Sequence, residues 1–305
     1  MSMISATVIL QALVSGILIG SIYGLVGMGF ALIYGVMEVV NFAHGHLVMI
    51  GMFGCYVLFQ QFGLDPLLAI PLALAAGYLV GLLLYQGLVR HVVAAPQFAQ
   101  VILTLALFIF LENGANFVFG GDLRAVRTAY TAAAWRVGGV AVSIPRFAGA
   151  AAALTAMLAV HLFLRSTLFG KAIRAAANNR DGASLVGIEV SAVFRNTFAM
   201  SVAAACLAGA VLTPFYLISP FVGNELLLKA FVVMVVGGMG NVMGAWFSGV
   251  LVGLVEALAA VFVTASLVNA IVFGLLILIL LVRPSGLFAA QLRLPSRRRL
   301  VDHGR

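Results

Sequence analysis

Phe169–Val190 reads FGKAIRAAANNRDGASLVGIEV, the long polar interval in the second half of the chain, and apolar runs flank it on both sides. Lys171, Arg174 and Asn178 stand three and four apart, so on a helix they share one face. Ala172, Ala175, Ala176 and Asn179 fill much of the rest with small or short side chains. Asp181 is placed to cap a second short helix, and Gly187 to end it. The spacing therefore predicts a compact, basic, small-faced double helix held between two membrane spans. Such an elbow suits a groove on another protein. The plainer alternative is a positive loop that only fixes topology.

The apolar runs decide the class. The 305 residues are 64% hydrophobic and 9% charged, and mean hydropathy is +1.17. Soluble domains carry about 25% charged residues. The chain reads as an all-α, polytopic transmembrane bundle, a single transmembrane domain over residues 1–305. The first 30 residues contain neither Lys nor Arg and so lack the basic start of a signal peptide.

A net charge of +8 raises the question of nucleic acid, and its distribution answers against it. The first basic residue is Arg90. Others gather in 165–195 and in the tail 284–305, where Arg293, Arg297, Arg298 and Arg299 stand. Membrane proteins place positive charge this way at cytoplasmic edges, where it also meets anionic lipid. Cys55 and Cys206 lie in apolar runs and read as packed thiols.

A span needs about 20 apolar residues. Candidate spans fall near 9–34, 46–62, 67–89, 98–119, 147–165, 193–213, 226–239, 245–263 and 266–282. The segment 226–239 is short and ends in Gly237-Gly238-Met239-Gly240-Asn241, so it reads as broken or re-entrant and the count is eight or nine. The basic clusters put the loop 166–192 and the tail inside, and the N-terminus outside. Residues 120–146 conflict with this scheme. They hold Arg124, Arg127, Arg136 and Arg146 against Asp122, yet fall outside.

Ala12, Gly16, Gly20 and Gly24 are each four apart, giving the first span one nearly flat face that another helix can approach closely. Gly240/Gly244 and Gly249/Gly253 repeat the device. The regions 35–51 and 237–253 echo each other, each with a Gly-rich, Asn-containing break leading into a Gly-dotted span. Transporters built from internal repeats break helices in this manner.

Polar residues inside apolar runs are the candidate solute contacts, since an ionisable group there must face protein or water. Asn41 and His44 are three apart and would share a helix face, either lining a path or tying helices together. His44 and His46 are two apart, point to different sides, and lack a third ligand at useful spacing for a metal. Glu225 and Lys229 stand in the favoured order for an ion pair on one helix, as an anchor or a gate. Asn241 sits in the glycine break. Glu112, Asn113 and Asn116 fall near the outer edge of the fourth span. Glu256 falls well inside a span and needs a partner, a proton or a cavity. Nothing resembles GxSxG, HExxH or CxxC, and Gly170-Lys171-Ala172 lacks the upstream Gly and the Ser/Thr of a phosphate-binding loop. No catalysis or cofactor is expected.

Four stretches together resemble the permease subunits of branched-chain amino acid ABC importers: Gly29–Gly51 (GFALIYGVMEVVNFAHGHLVMIG), Gly170–Val190, Leu228–Gly253 (LKAFVVMVVGGMGNVMGAWFSGVLVG) and Ile279–Leu287 (ILLVRPSGL). They cover nearly the whole chain in order, and the match is poorest in 120–146. The resemblance implies a multi-pass inner-membrane subunit working with a second, related permease, two cytoplasmic ATPase subunits and a periplasmic solute-binding protein. It implies that 170–187 docks on an ATPase, with Lys171 and Arg174 meeting acidic or carbonyl groups. On that reading Ala175, Ala176 and Ala183 permit close approach, and Gly170, Arg180 and Gly187 belong to the same coupling segment. Relatives in the same family carry urea, short amides and other small organic acids. A rival of another class is a proton-coupled carrier with Glu256 or His44 as relay.

Overall fold

In the computed structural model, which describes residues 6–288, helix α1 (Ala6–Met37) is the axis of the bundle. It is apolar all round, and it is buried without interruption from Gly20 to Ile33. Around it stand α2 (His44–Phe62), α5 (Ile144–Ser166), α8 (Val190–Leu212), α9 (Val222–Gly237) and α10 (Val242–Phe262). Helix α3 (Ile70–Gly87) packs on α8, α4 (Gln97–Phe119) on α2, and α11 (Ala265–Val282) on α10 and α9. Eight of the described helices are long and apolar enough to cross a membrane. Helix α9 is shorter, at 16 residues.

The glycine stripes of the first and tenth helices are two halves of one seam. A β-carbon on Gly249 would stand 2.1 Å from the Gly24 nitrogen, and one on Gly253 would stand 2.4 Å from the Gly20 α-carbon. Gly16 faces the Gly253 carbonyl oxygen at 2.8 Å on the same test. Backbone meets backbone along three turns, which any side chain would prevent. The Gly240/Gly244 pair works differently. Gly240 lies against Gly35, at the ends of the two echoing regions, so the two breaks touch.

Two ends of the bundle can be told apart. At one, residues 120–143 carry a short antiparallel hairpin, β1 (Ala134–Val137) and β2 (Val140–Ser143), which the sequence reading left as loop. Gly138 and Gly139 both take positive φ, as a two-residue hairpin turn of this kind requires. Gln11 near the start of α1 grips β2, exchanging two hydrogen bonds with the Ala141 backbone at 2.7 and 2.8 Å. Tyr130 donates to Asp65 at 2.6 Å, and burial together with that carboxylate pushes its phenol above the ordinary range. The other end carries α6 (Leu168–Asn178) and α7 (Arg180–Leu185), the elbow foreseen in the sequence. Helix α5 runs from one end to the other.

Helix α2 does not start at the elbow end where α1 stops. His44 Nε2 lies 2.9 Å from the Val26 carbonyl oxygen, so the first turn of α2 is level with the interior of α1. Residues 38–43 climb back into the bundle without helix, beginning at Glu38 with a φ of 57°. Helix α9 begins beside α2, with Gly223 against the His46 ring. The chain thus has two interrupted crossings, and the one at 38–43 falls in the glycine- and Asn-containing break of the 35–51 region.

Candidate functional site

The elbow is built by its caps. Thr167 Oγ1 accepts from the Gly170 nitrogen at 2.9 Å and starts α6. Asn179, rather than Asp181, caps α7 by accepting from the Gly182 nitrogen at 2.8 Å, and Asp181 sits in the first turn instead. Asn179 has extended backbone, which a cap requires, whereas Asp181 is already helical. Gly187, with φ at 85°, ends α7 as expected.

The faces of α6 are the reverse of one expectation. Lys171, Arg174, Ala177 and Asn178 are exposed, but Gly170, Ala176 and Ala183 are buried in the chain's own core with Ile173, and Ala175 is half-buried. A β-carbon on Gly170 would stand 2.3 Å from the Phe163 carbonyl oxygen. The close approach these small residues permit is to α5 and the bundle. The outward surface is instead Lys171 and Arg174 with the exposed apolar side chains Leu168, Leu185 and Val186. Arg180 turns inward. Its Nη2 donates to the Met37 carbonyl at 2.8 Å, its guanidinium lies 5.2 Å from the Phe194 ring centroid, and Glu38 is 3.9 Å away. The elbow is therefore tied to the last turn of α1, where the interrupted segment begins.

A cavity of about 900 Å³ opens at the hairpin end, between α1, α5, α9, α10 and the 213–221 turn. Glu225 and Glu256 line it, together with Arg146, Tyr23 and Tyr216. Lys229 does not pair with Glu225 one turn away. Its Nζ lies 2.5 Å from Glu256 Oε2 on α10 and 5.0 Å from the Tyr23 ring centroid, and Tyr23 Oη donates to Glu256 Oε1 at 3.4 Å. Lys229 is 6% exposed and turned towards α10, while Glu225 is exposed at the rim, within hydrogen-bond reach of Tyr216. A buried ammonium needs a buried anion, and that requirement outweighs a weak pairing on a helix surface. Glu256 thus has a lysine and a tyrosine for partners and a cavity beside it.

The other sequence candidates lie elsewhere. Asn41 is not helical and shares no helix face with His44. Its Oδ1 accepts from the Ala43 nitrogen at 3.1 Å in the turn that starts α2. Asn41 and His44 are both fully buried, and neither lines the large cavity. His46 bonds Glu112 at 3.1 Å, and Asn224 donates to the same carboxylate oxygen at 2.7 Å, so Glu112 joins α4 to α2 and α9. Asn241 caps α10 at the elbow end by accepting from the Gly244 nitrogen at 3.0 Å, and it donates to the Phe288 carbonyl at 2.5 Å. The basic tail, Arg293 to Arg299, lies outside the described residues.

Sequence reasoning missed Arg146, Tyr23 and Tyr216 as cavity residues. Arg146 had a signal: it belongs to the one arginine-bearing interval that broke the charge rule. The tyrosines had none, because a tyrosine in an apolar run is ordinary at a membrane boundary.

Residues 12–281 match the family described as branched-chain amino acid transport system, permease component. The chain is 31% identical to the high-affinity branched-chain amino acid transport system permease protein LivH of Salmonella typhimurium, over 91% of this chain and 94% of that one. It is 28% identical to the corresponding BraD protein of Pseudomonas aeruginosa, over 91% and 95% of the two chains. A probable branched-chain amino acid transport permease LivH of Methanocaldococcus jannaschii is 28% identical over 86% and 87%. No solved structure matches the chain.

Proposed function

The chain belongs to the permease family of branched-chain amino acid transport systems, and from that premise we propose that it forms one half of an ATP-driven import path for those amino acids in the bacterial inner membrane. The second half is a related permease. Two ATPase subunits supply the force from the cytoplasm, and a periplasmic binding protein delivers solute to the hairpin end. The elbow end then faces the cytoplasm, in keeping with its lysine and arginines and with the basic tail.

The observation that carries the proposal is the elbow's construction. Its outer surface joins two cations to three exposed apolar side chains, the mixture of a protein-docking surface. Its inner surface is bonded through Arg180 to the end of α1. A push on α6 and α7 therefore reaches the backbone at Met37 and the interrupted segment behind it. Two packings of that segment, biased by the ATPases, would alternately open the path. Asn41 and His44 hold the segment in place, and the cavity at Glu225 and Glu256 is the outer vestibule.

Charge reversal on the outer surface tests this. Lys171→Glu with Arg174→Glu, in the importer co-expressed with its partner subunits, is expected to cut leucine uptake at least tenfold and to release the ATPases on purification. Ala176 is unsuitable for such a test, because at 1% exposed it would disturb the core. Normal uptake with normal ATPase retention would remove the coupling role. The purified chain alone in vesicles is expected to show no leucine uptake under a proton gradient. Uptake there would favour a self-sufficient carrier.

A further inference from the structure

We propose that the cavity at the hairpin end is a binding site for a zwitterion with an apolar side chain, in which Arg146 receives the carboxylate and Glu225 the ammonium. The proposal rests on the import reading above and assigns residues to its outer vestibule.

Charge on the cavity wall is the first argument. Among the described residues, the floor is neutral within itself, because Glu256 is matched by Lys229 at 2.5 Å. That leaves one cation and one anion facing the space, Arg146 and Glu225, and neither forms an ion pair among the described residues. A zwitterion meets both. A simple carboxylate or a simple amine meets one and leaves the other unmatched. An uncharged amide meets neither with opposite charge.

The position of Arg146 is the second argument. It stands in the first turn of α5, where the helix dipole disfavours a cation. Its guanidinium rests 5.9 Å from the Phe215 ring centroid, a modest attraction. The charge also runs against the orientation rule, as do Arg124, Arg127 and Arg136, but Arg146 alone of the four lines the cavity. A bound carboxylate removes the mismatch, since both the guanidinium and the positive end of α5 attract an anion. Glu225 lies in the first turn of α9, where a carboxylate is favoured, and faces the same space.

Shape and surface complete the case. Ile19, Phe215, Leu217 and Val222 supply apolar wall for an aliphatic side chain. At about 900 Å³ the cavity is at the upper end of the roughly 300–1,000 Å³ usual for small-molecule sites, too roomy for shape alone to sort small solutes. Paired charges do the sorting.

Saturation-transfer NMR on the importer's membrane complex in nanodiscs, without the binding protein, reads the site directly. L-leucine is expected to bind. 4-Methylpentanoate, which lacks the ammonium, and 3-methylbutylamine, which lacks the carboxylate, are expected to bind at least tenfold more weakly. Arg146→Gln and Glu225→Gln are each expected to weaken leucine at least tenfold, while Arg127→Gln, outside the cavity lining, changes nothing. Equal binding of leucine and the two analogues to the unmodified complex would overturn the proposal, even if a variant failed to fold. So would wild-type affinity in both folded variants. Leucine uptake by the full importer is measured alongside. Uptake without charge-dependent binding defeats the site alone, whereas absence of uptake defeats the import reading.

Discussion

Gly249→Val is expected to abolish transport by preventing the bundle from closing. The new β-carbon would stand 2.1 Å from the Gly24 nitrogen and 2.3 Å from its α-carbon. Those are backbone atoms of a helix buried on nearly every side, so neither partner can swing away as a side-chain tip would. Overpacking a core costs about 1–3 kcal/mol when side chains can yield, and more when backbones must part. We expect about 3 kcal/mol or more here, against a total stability of about 5–15 kcal/mol. The measurement is the amount of protein in the membrane and its melting temperature in detergent. Gly274→Ala on α11 is the control, because nothing lies within 4 Å of its added carbon. It should match the unmodified protein. If Gly249→Val accumulated and melted like that control, the seam would not hold the bundle together.

Lys229→Ala should be nearly as damaging for a different reason. It leaves Glu256, 23% exposed on the cavity wall, without its counter-charge and with only the Tyr23 hydroxyl as a side-chain partner. Removing one member of a fully buried pair typically costs about 3–5 kcal/mol, and the exposure of Glu256 to the cavity puts the loss here at or below about 3 kcal/mol. The informative comparison is the double variant Lys229→Met with Glu256→Leu. Well-packed apolar replacements of a buried pair are often neutral, so the double variant is expected to recover most of the lost melting temperature. If the double variant melted as low as Lys229→Ala, the two residues would not be acting through their mutual charge. Recovery of stability without recovery of uptake would show that the pair serves the path as well as the fold.

Much of this architecture is legible in the residues, and the failures share a cause. The nine apolar runs became α1 to α5 and α8 to α11, with ends displaced by a few residues. Residue spacing and helix ends are local signals, and they mark the elbow, although its second cap is Asn179 and not Asp181. What was lost is the identity of neighbours across the fold. The stripe at Gly16–Gly24 and the pair at Gly249/Gly253 were both visible, but nothing local says that they face each other. Lys229 was matched to Glu225 because the rule at hand concerns one helix, while the true partner comes from α10. The alanines of α6 looked like a docking surface because composition does not say which side of a helix is covered. The hairpin at Val137-Gly138-Gly139-Val140 carried its signal and was overlooked in an interval read for charge.

The seam between Gly24 and Gly249 sets a timetable for synthesis. Helix α1 leaves the ribosome well before its mate α10, with eight helices made between them. At about 5–20 residues per second, on the order of ten seconds or more pass between them. Throughout that interval the stripe on α1 lacks the glycine backbone that it meets in the complete fold. A chain truncated before α10 would leave the stripe at Gly16, Gly20 and Gly24 without the backbone it packs against.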